Sequence, residues 1–259
     1  KTGLLLLALL PAAPRAALAW SQIGHNAVAA IAEANLTEKT RTAVEDCLGG
    51  HSIIYYAMWA DNYRRAPEYR YTARWHAARV DEECRHVARD GGDVVTAVTQ
   101  SAAALGNGQY KKLPADTVAL HIKLLVHLVG DLHCPVHVDY PGEKNSFFNL
   151  RLNGYKTTYH TVWDNNVPNA RKWSYTEWAQ QLNRPARDGI AEITAGTPAD
   201  WFRQTALDCR VIYDWARPGL NLERDEYTNF MNQAVPLAES QIKKAGYRLA
   251  KLLNDIFDP

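Results

Sequence analysis

Seven stretches of the chain carry apolar residues at the three-and-four spacing of an amphipathic helix, and this pattern restricts the fold more than any other feature of the sequence. They are residues 26–35, 40–48, 93–105, 117–132, 173–182, 199–215 and 227–257. The best alternation of apolar and polar residues, which is typical of strands, spans residues 147–159 around the hairpin dipeptide Asn153-Gly154. The connections are short and no internal repeat is found. We therefore predict a mainly α fold, a single-domain helical bundle with a small β-hairpin.

Composition and charge place the chain among globular proteins. Of its 259 residues, 47% are hydrophobic and 22% are charged, which favours a packed core over disorder. Lysine and arginine number 29 and aspartate and glutamate 28, so the formal net charge is +1. A chain this close to neutral has no pervasive basic surface. Any affinity for phosphate must therefore come from a local site or from bound cations.

Residues 1–19 have the parts of a secretory signal peptide. An apolar run over residues 4–10 is followed by Pro11, Pro14 and the cleavage-type sequence Ala17-Leu18-Ala19. The run is too short to span a bilayer as an anchor, and no other stretch is suited to that role. We expect cleavage to leave Trp20 as the N-terminus of a mature domain over residues 20–259, secreted or periplasmic and without a membrane anchor.

The four cysteines are Cys47, Cys84, Cys134 and Cys209. An even number of cysteines in an exported protein predicts two disulfides, and the sequence leaves three connectivities open. Cys134 lies between two histidines, as a metal ligand or nucleophile would. The proline that follows it and the exported context favour a structural role instead.

Two His/Asp pairs carry the first indication of chemistry. His127 and Asp131 are four residues apart in the strongest helical pattern, and His160 and Asp164 have the same spacing. Residues at this spacing share one helix face, so each pair can direct a nitrogen and an oxygen at one cation. A single pair of this kind is also common as a weak surface interaction. Further candidate ligands near the ends of other helices are His25, Asp61, His76, His137 and the free amine expected at Trp20. Imidazole and carboxylate are ligands that zinc accepts, so the accumulation predicts a zinc centre.

The segment over residues 127–137, which reads HLVGDLHCPVH, is the most specific stretch of the chain. A helix that ends before Pro135 would turn His137 away from the face of His127 and toward a second cation. One segment could then serve two metal sites. His133, between them, is expected to orient a ligand rather than to bind metal itself.

Together these motifs make the mature chain resemble the zinc-dependent S1/P1 nuclease family, the type I nucleases and 3′-nucleotidases. The matching motifs, in chain order, are Trp20 with His25 five residues later, Trp59-Ala60-Asp61 with Arg64, Trp75-His76, the residues His127, Asp131 and His137, and the sequence His-x-x-Trp-Asp at His160 and Asp164. The resemblance implies the helical fold shared by phospholipase C and the S1/P1 nucleases.

The resemblance also implies three zinc ions. The implied ligand sets are Asp61, His76, His127 and Asp131 for the first ion, Trp20, His25 and the shared Asp131 for the second, and His137, His160 and Asp164 for the third. Arg64 would stabilise the transition state, and Asp61 would also orient the attacking water. The implied activity is cleavage of single-stranded DNA and RNA to 5′-phosphorylated products and dephosphorylation of 3′-nucleotides, by a monomer.

The resemblance weakens at the base-binding residues. After the Trp-His motif, better-studied members of the family have an aromatic residue and then an aspartate that contact the nucleobase, whereas this chain has Ala77, Ala78 and Arg79. Aromatic residues of the predicted hairpin are the alternative stacking groups, although such residues also pack in cores. These residues are Phe148, Tyr155 and Tyr159.

Two other functions compete with this interpretation. A zinc-dependent phospholipase C has the same architecture and also begins with tryptophan, but its second ligand lies further from that residue and its last ligand is glutamate rather than Asp164. A non-catalytic exported protein that stores or scavenges zinc would have closed metal sites, whereas an enzyme keeps open positions for water. Arg64 favours the enzyme.

Overall fold

The computed structural model describes residues 20–142, 146–184 and 187–259, and the predicted signal peptide lies outside them. Its α-helices are α1 (Gln22–Ala34), α2 (Glu38–Cys47), α3 (Trp59–Tyr63), α4 (Val94–Leu105), α5 (Ala115–Leu132), α6 (Tyr159–Thr161), α7 (Val167–Asn169), α8 (Tyr175–Leu182), α9 (Arg187–Thr194), α10 (Pro198–Cys209), α11 (Ile212–Trp215) and α12 (Arg224–Phe257). Shorter 3₁₀ turns cover Ile53–Tyr56, Pro67–Arg74, Gln109–Lys112 and Pro135–His137. A π-helical segment, Val162–Asn166, joins α6 to α7.

The strands form two small sheets at the edge of the helical body. Their bounds are β1 (Ala78–Val80), β2 (His86–Val87), β3 (Val138–Asp139), β4 (Asn149–Leu152), β5 (Tyr155–Thr158) and β6 (Asn221–Leu222). In the first sheet β1 lies between antiparallel β2 and parallel β3, and in the second β4 lies between antiparallel β5 and parallel β6. β3 directly follows the turn after α5. The pairing of β1 with β3 therefore brings the segment before β1 next to the end of α5.

The prediction of a mainly α fold with a small hairpin is confirmed. The hairpin is β4–β5, where Leu152 pairs with Tyr155 and both Asn153 and Gly154 have positive φ, as this type of two-residue turn requires. The pattern over residues 199–215 breaks into α10 and α11. The first sheet was missed because strands of two or three residues are too short to show an alternation.

The core is built around α5 and α12. α12 packs against α1, α5 and α9, while α5 also packs against α4 and α3. Every residue of α5 from Leu124 to Leu132 is buried, so the second half of this helix is enclosed on all sides. His127 and Asp131 are therefore inside the protein. Within the part of the chain that the structure describes, no helix combines the length and apolar character needed to cross a membrane.

The four cysteines, all within the described residues, have free thiols. The structure thus does not show the two disulfides predicted from the sequence. Bridging requires two α-carbons within about 7 Å, which a count of cysteines does not test. Cys47 ends α2 at a half-buried position, whereas Cys134 follows α5, with Sγ 4.0 Å from Asp164 Oδ1. Cys84 and Cys209 are buried.

The contact between α1 and α12 depends on Gly246. A β-carbon at this position would lie 2.5 Å from Ile31 Cγ2 and 3.2 Å from the Val28 carbonyl oxygen. Both neighbours belong to the buried face of α1, where neither can move freely. Glycine therefore allows the two helices to approach closely.

We predict that Gly246→Ala lowers the free energy of unfolding by about 1–2 kcal/mol, because overpacking costs about 1–3 kcal/mol and exceeds the helix-propensity gain of about 1 kcal/mol. Asn232→Ala, at an exposed position of the same helix, is the matched control and is expected to have little effect. Denaturant unfolding measures both. Equal or greater stability of Gly246→Ala relative to the control would contradict the close approach of α1 and α12.

Candidate metal centre

Helix α5 places His127 and Asp131 side by side in the interior. Both residues have no exposed surface, and His127 Nε2 lies 3.3 Å from Asp131 Oδ2. On the other side of the ring, Nδ1 lies 2.7 Å from the Ala57 carbonyl oxygen and donates its hydrogen there. The lone pair of Nε2 is therefore directed at the carboxylates, which is the arrangement that metal-binding histidines adopt.

Four imidazoles lie close to the Asp131 carboxylate. Its Oδ2 atom lies 2.7 Å from His76 Nδ1 in addition to the contact with His127. Its Oδ1 atom lies 3.5 Å from His25 Nε2 and 3.6 Å from His137 Nδ1. The four histidines come from α1, the loop before β1, α5 and the 3₁₀ turn after α5. One buried carboxylate therefore brings four separate chain segments together.

Asp61 and Arg64 reach the same cluster from the single turn of α3. Asp61 Oδ1 lies 3.5 Å from His76 Nδ1 and 3.7 Å from His127 Nε2. The spacing of three residues on this helix directs Arg64 to the same side, with Nη1 3.2 Å from Asp61 Oδ1. The Arg64 side chain is only 14% exposed, so its positive charge lies at the edge of the cluster rather than on the open surface.

His160 and Asp164 form the second part of the cluster at an irregular stretch of helix. His160 belongs to α6 and Asp164 to the π-helical segment, and Nε2 of the histidine lies 3.3 Å from Oδ2 of the aspartate. π-Helical turns insert one extra residue and occur often at functional sites. Ser146 Oγ donates to the Val136 carbonyl oxygen at 3.2 Å and accepts from His160 Nδ1 at 2.7 Å, which leaves Nε2 with the lone pair.

Trp20 and His25 lie against α5 because glycine occupies position 130. The Trp20 indole is completely buried, and its Nε1 donates to the Gly130 carbonyl oxygen at 3.0 Å. A β-carbon at Gly130 would lie 2.8 Å from His25 Nδ1, so any side chain there would push the imidazole away. This role was missed from the sequence. Its available signal was a glycine inside an otherwise strong helical pattern.

Burial and charge shift the pKa values of the carboxyl groups in opposite directions. Burial alone would raise the pKa of Asp131, but the positive charges available on His127 and His76 hold it well below its usual range. Burial raises the pKa of Asp164 well above its usual range, and the negative charges of Asp131 and Asp61 raise it further. Several carboxylates therefore lie close together in a region that is excluded from solvent, which is unfavourable without compensating positive charge.

The histidines are shifted by the same two effects. Burial lowers the pKa of His25, and it lowers the pKa of His137 to about 4 and that of His160 to about 2. At His127 burial acts in the same direction, but the charges of Asp131 and Asp61 prevail and raise its pKa to about 9. The rings of His25, His137 and His160 are thus neutral near pH 7, the form in which imidazole binds a metal.

The donor atoms of this cluster fit metal ions. Most of the buried side-chain nitrogen and oxygen atoms that make no hydrogen bond within the described residues belong to it, namely atoms of His25, Asp61, His76, His127, Asp131, His137 and Asp164. Buried polar atoms are normally hydrogen-bonded, so their concentration at one place needs an explanation. Coordination of cations by imidazole and carboxylate provides one, and zinc accepts both kinds of ligand.

Three groups of ligand atoms each lie within 4.8 Å of one another. They are His25, His127 and Asp131; Asp61, His76 and His127; and Cys134, His137 and Asp164. All the residues expected from the sequence are thus brought into one region. The grouping differs in detail, because Cys134 joins His137 and Asp164, whereas His160 approaches the third group through Asp164.

The contacts correct the expected role of His133 and decide between the two roles that the sequence left open for Tyr159 and Phe148. His133 orients none of the candidate ligands through its hydrogen bonds, because Nδ1 donates to the Val129 carbonyl oxygen at 2.7 Å and Nε2 accepts from Arg248 at 2.8 Å. Tyr159 is a core residue, fully buried and donating to the Ile212 carbonyl oxygen at 2.6 Å. Phe148 packs on the Tyr159 ring.

Phe147 was missed by the sequence analysis. Its ring stacks on His160 with centroids 4.2 Å apart and is 52% exposed, which places an aromatic surface beside the third group. Tyr155, the remaining stacking candidate, is 79% exposed at the hairpin. The available signal for Phe147 was its position as the first residue of the predicted hairpin, thirteen residues before His160.

A basic cavity opens beside His76. It has a volume of about 590 Å³, and its lining includes Arg74, Arg79 and Arg89. Arg89 pairs with the Asp139 carboxylate, while Ala77 leaves the wall next to His76 small. Ala77 and Arg79, two of the three residues at which the chain departs from the family pattern, therefore line a cavity that is basic rather than aromatic.

Comparison with known proteins shows the family to which the chain belongs. The sequence profile of the family described as S1/P1 Nuclease matches residues 20–258. Nuclease P1 of Penicillium citrinum is 26% identical over 266 residues, covering 92% of this chain and 97% of that protein. Endonuclease 4 of Arabidopsis thaliana is 27% identical over 281 residues, covering 93% and 90%, and nuclease S1 of Aspergillus oryzae is 25% identical over 263 residues, covering 91% of each. The chain therefore belongs to the S1/P1 nuclease family.

Proposed function

We propose that the protein is a nuclease with three zinc ions that cleaves single-stranded DNA and RNA to 5′-phosphorylated products and removes phosphate from 3′-nucleotides. The observation that carries the proposal is the buried cluster in which Asp61 and Asp131 face four histidines, with the Arg64 guanidinium at its edge. The names of the relatives, which are nucleases and endonucleases, support the same class of reaction.

The proposed ligands follow the three sets implied by the resemblance. They are Asp61, His76, His127 and Asp131 for the first ion, the amine and carbonyl of Trp20 with His25 and Asp131 for the second, and His137, His160 and Asp164 for the third. The contacts of both Asp131 oxygens support a bridging role for this carboxylate. Trp20 would offer an amine only as the first residue of the chain, so the proposal includes removal of residues 1–19.

Zinc held here would lower the pKa of a bound water toward about 7 and would neutralise charge on the phosphate and the leaving group. Asp61 has buried oxygens that make no hydrogen bond within the described residues, and it is placed to accept one from an attacking water. Arg64 carries a planar guanidinium that can donate to two phosphoryl oxygens at once and stabilise the charge that develops in the transition state. The ion pair of Arg64 with Asp61 fixes this guanidinium beside the reacting centre.

Access to the site favours a single strand. The cavity beside His76 is lined by arginines that attract the phosphates on either side of the cleaved bond. The exposed ring of Phe147 offers a surface for a base on the other side of the cluster. A single strand can bring a phosphate and its neighbouring bases into such a concave site together. In a duplex the bases are held in pairs and do not enter the site with the phosphate.

The first prediction concerns metal content and substrate. Protein that begins at Trp20 should contain close to three zinc ions per chain by mass spectrometry and should hydrolyse single-stranded DNA, RNA and 3′-AMP. A choline phospholipid is the comparison substrate and should remain intact. Zinc without cleavage of any nucleic acid would favour the metal-storage alternative, and cleavage of the phospholipid alone would favour the phospholipase.

The second prediction tests the bridging role of Asp131. Asp131→Asn keeps the shape of the side chain but removes the charge that faces four imidazoles, so we expect the chain to lose at least one zinc ion and its nuclease activity. Asp116→Asn, an exposed position at the start of the same helix, is the matched control. Full zinc content and full activity in Asp131→Asn would refute the bridging assignment.

The third prediction separates catalysis from metal binding. Arg64→Ala should retain the zinc content but lower kcat by about 10²–10³-fold, the usual loss when one donor to the transition state is removed. Arg65→Ala, the exposed neighbour, should change kcat little. Unchanged turnover in Arg64→Ala, measured at saturating single-stranded DNA, would exclude Arg64 from the transition state.

A further inference from the structure

The third group of ligand atoms contains a thiol that the zinc sets proposed above leave unused. Cys134 lies between α5 and the 3₁₀ turn Pro135–His137 and has no exposed surface. Its Sγ atom is 4.0 Å from Asp164 Oδ1, and it forms one group with His137 and Asp164 whose ligand atoms all lie within 4.8 Å. Tetrahedral ligands of one zinc ion lie about 3.3–3.8 Å apart when the bonds are about 2.0–2.3 Å long, so the three residues need to move together by only a few tenths of an ångström to about 1 Å to share an ion.

The neighbours of Cys134 independently indicate a ligand at this point. Asp164 Oδ2 and His137 Nδ1 are buried and make no hydrogen bond within the described residues, and both residues belong to the same group as Cys134. Cys134 is thus accompanied by two unsatisfied donor atoms that face the same space. The alternative partner for the thiol, a second cysteine, is excluded by the free state of all four cysteines.

The backbone around Cys134 is arranged for a sulfur that carries negative charge. The N–H groups of Trp20 and Val136 are directed at Sγ, and both favour the thiolate. Pro135 restricts the backbone of Cys134 to the extended region, where its ψ is 123°, and so fixes the direction of the side chain. Burial and the nearby Asp164 raise the pKa of the metal-free thiol well above the usual value. A divalent cation reverses this balance.

We infer that Cys134 is a direct ligand of the third zinc ion, through Sγ, together with His137, His160 and Asp164. This assignment rests on the proposed function. On binding, the zinc–sulfur bond forms, the S–H bond breaks, and the proton leaves to the solvent. The third ion then has four ligands from the protein, two imidazoles, one carboxylate and one thiolate. This is the number of protein ligands that zinc takes in structural sites.

The assignment changes the role expected of the third zinc ion. A thiolate donates more charge to zinc than a neutral ligand does, and a fourth protein ligand occupies the position that water or a leaving-group oxygen would use. The four ligands come from the turn after α5, from α6 and from the π-helical segment, so the third ion would hold these three elements together. Cys134 was expected from the sequence to have a structural role that involves no metal. With this assignment its structural role depends on the zinc ion that it binds.

Cobalt substitution tests the inference without relying on activity. The purified protein is reconstituted with Co²⁺, and a thiolate ligand is expected to give an intense sulfur-to-cobalt charge-transfer band in the near ultraviolet. Cys134→Ser should lose this band, and Cys209→Ser, at a buried cysteine that lies in none of the three groups, should keep it. X-ray absorption of the zinc form should show a sulfur neighbour at about 2.3 Å, absent in Cys134→Ser.

Zinc affinity provides the second readout. Cys134→Ser should weaken binding of one ion by more than the 10–100-fold that loss of an outer hydrogen-bonding partner costs, while the other ions bind as in the parent protein. A parent protein with full metal and nuclease activity but no sulfur signal would overturn this inference and leave the proposed function standing. A charge-transfer band that survives in Cys134→Ser would also overturn it. A parent protein that binds no metal would overturn both proposals.

Discussion

The burial of one negative charge, that of Asp131, is the constraint on which the rest of the structure depends. A carboxylate without exposed surface is tolerated only where opposite charges and hydrogen-bond donors surround it. Here the surrounding groups are imidazoles delivered by α1, by the loop before β1, by α5 itself and by the turn after α5. The helices pack around this group, so the fold and the site have a common centre. The enclosure of α5 on all sides follows from the same requirement.

The π-helical segment shows how local irregularity serves the cluster. A regular α-helix would place His160 and Asp164 one turn apart on the same face, which is the reason the sequence pattern could be recognised. The wider π turn keeps the two side chains 3.3 Å apart while Asp164 also approaches Cys134. Ser146 holds His160 from the opposite side, so the ring is fixed by one hydrogen bond to the hairpin connection and by the stacked Phe147.

The sequence predicted the long helices, the hairpin and the candidate ligands, because each has a local signature: periodicity, an Asn-Gly turn, or a His and an Asp four residues apart. It could not predict Gly130, whose function is the space it leaves for His25, or Phe147, whose stacking on His160 depends on a fold-level contact. It also gave wrong roles to residues whose partners are distant in the chain. His133 contacts Arg248 of α12, and the cysteines that were expected to pair remain separate.

The start of the described chain is built into the interior. Trp20 has no exposed surface, its indole donates to the Gly130 carbonyl, and the Ser21 N–H donates to the Asp164 carbonyl at 2.6 Å. Pro259, in contrast, is exposed at the other end. For anyone producing this protein, an affinity tag or fusion partner therefore belongs after Pro259, because extra residues joined to Trp20 would emerge from the cluster itself.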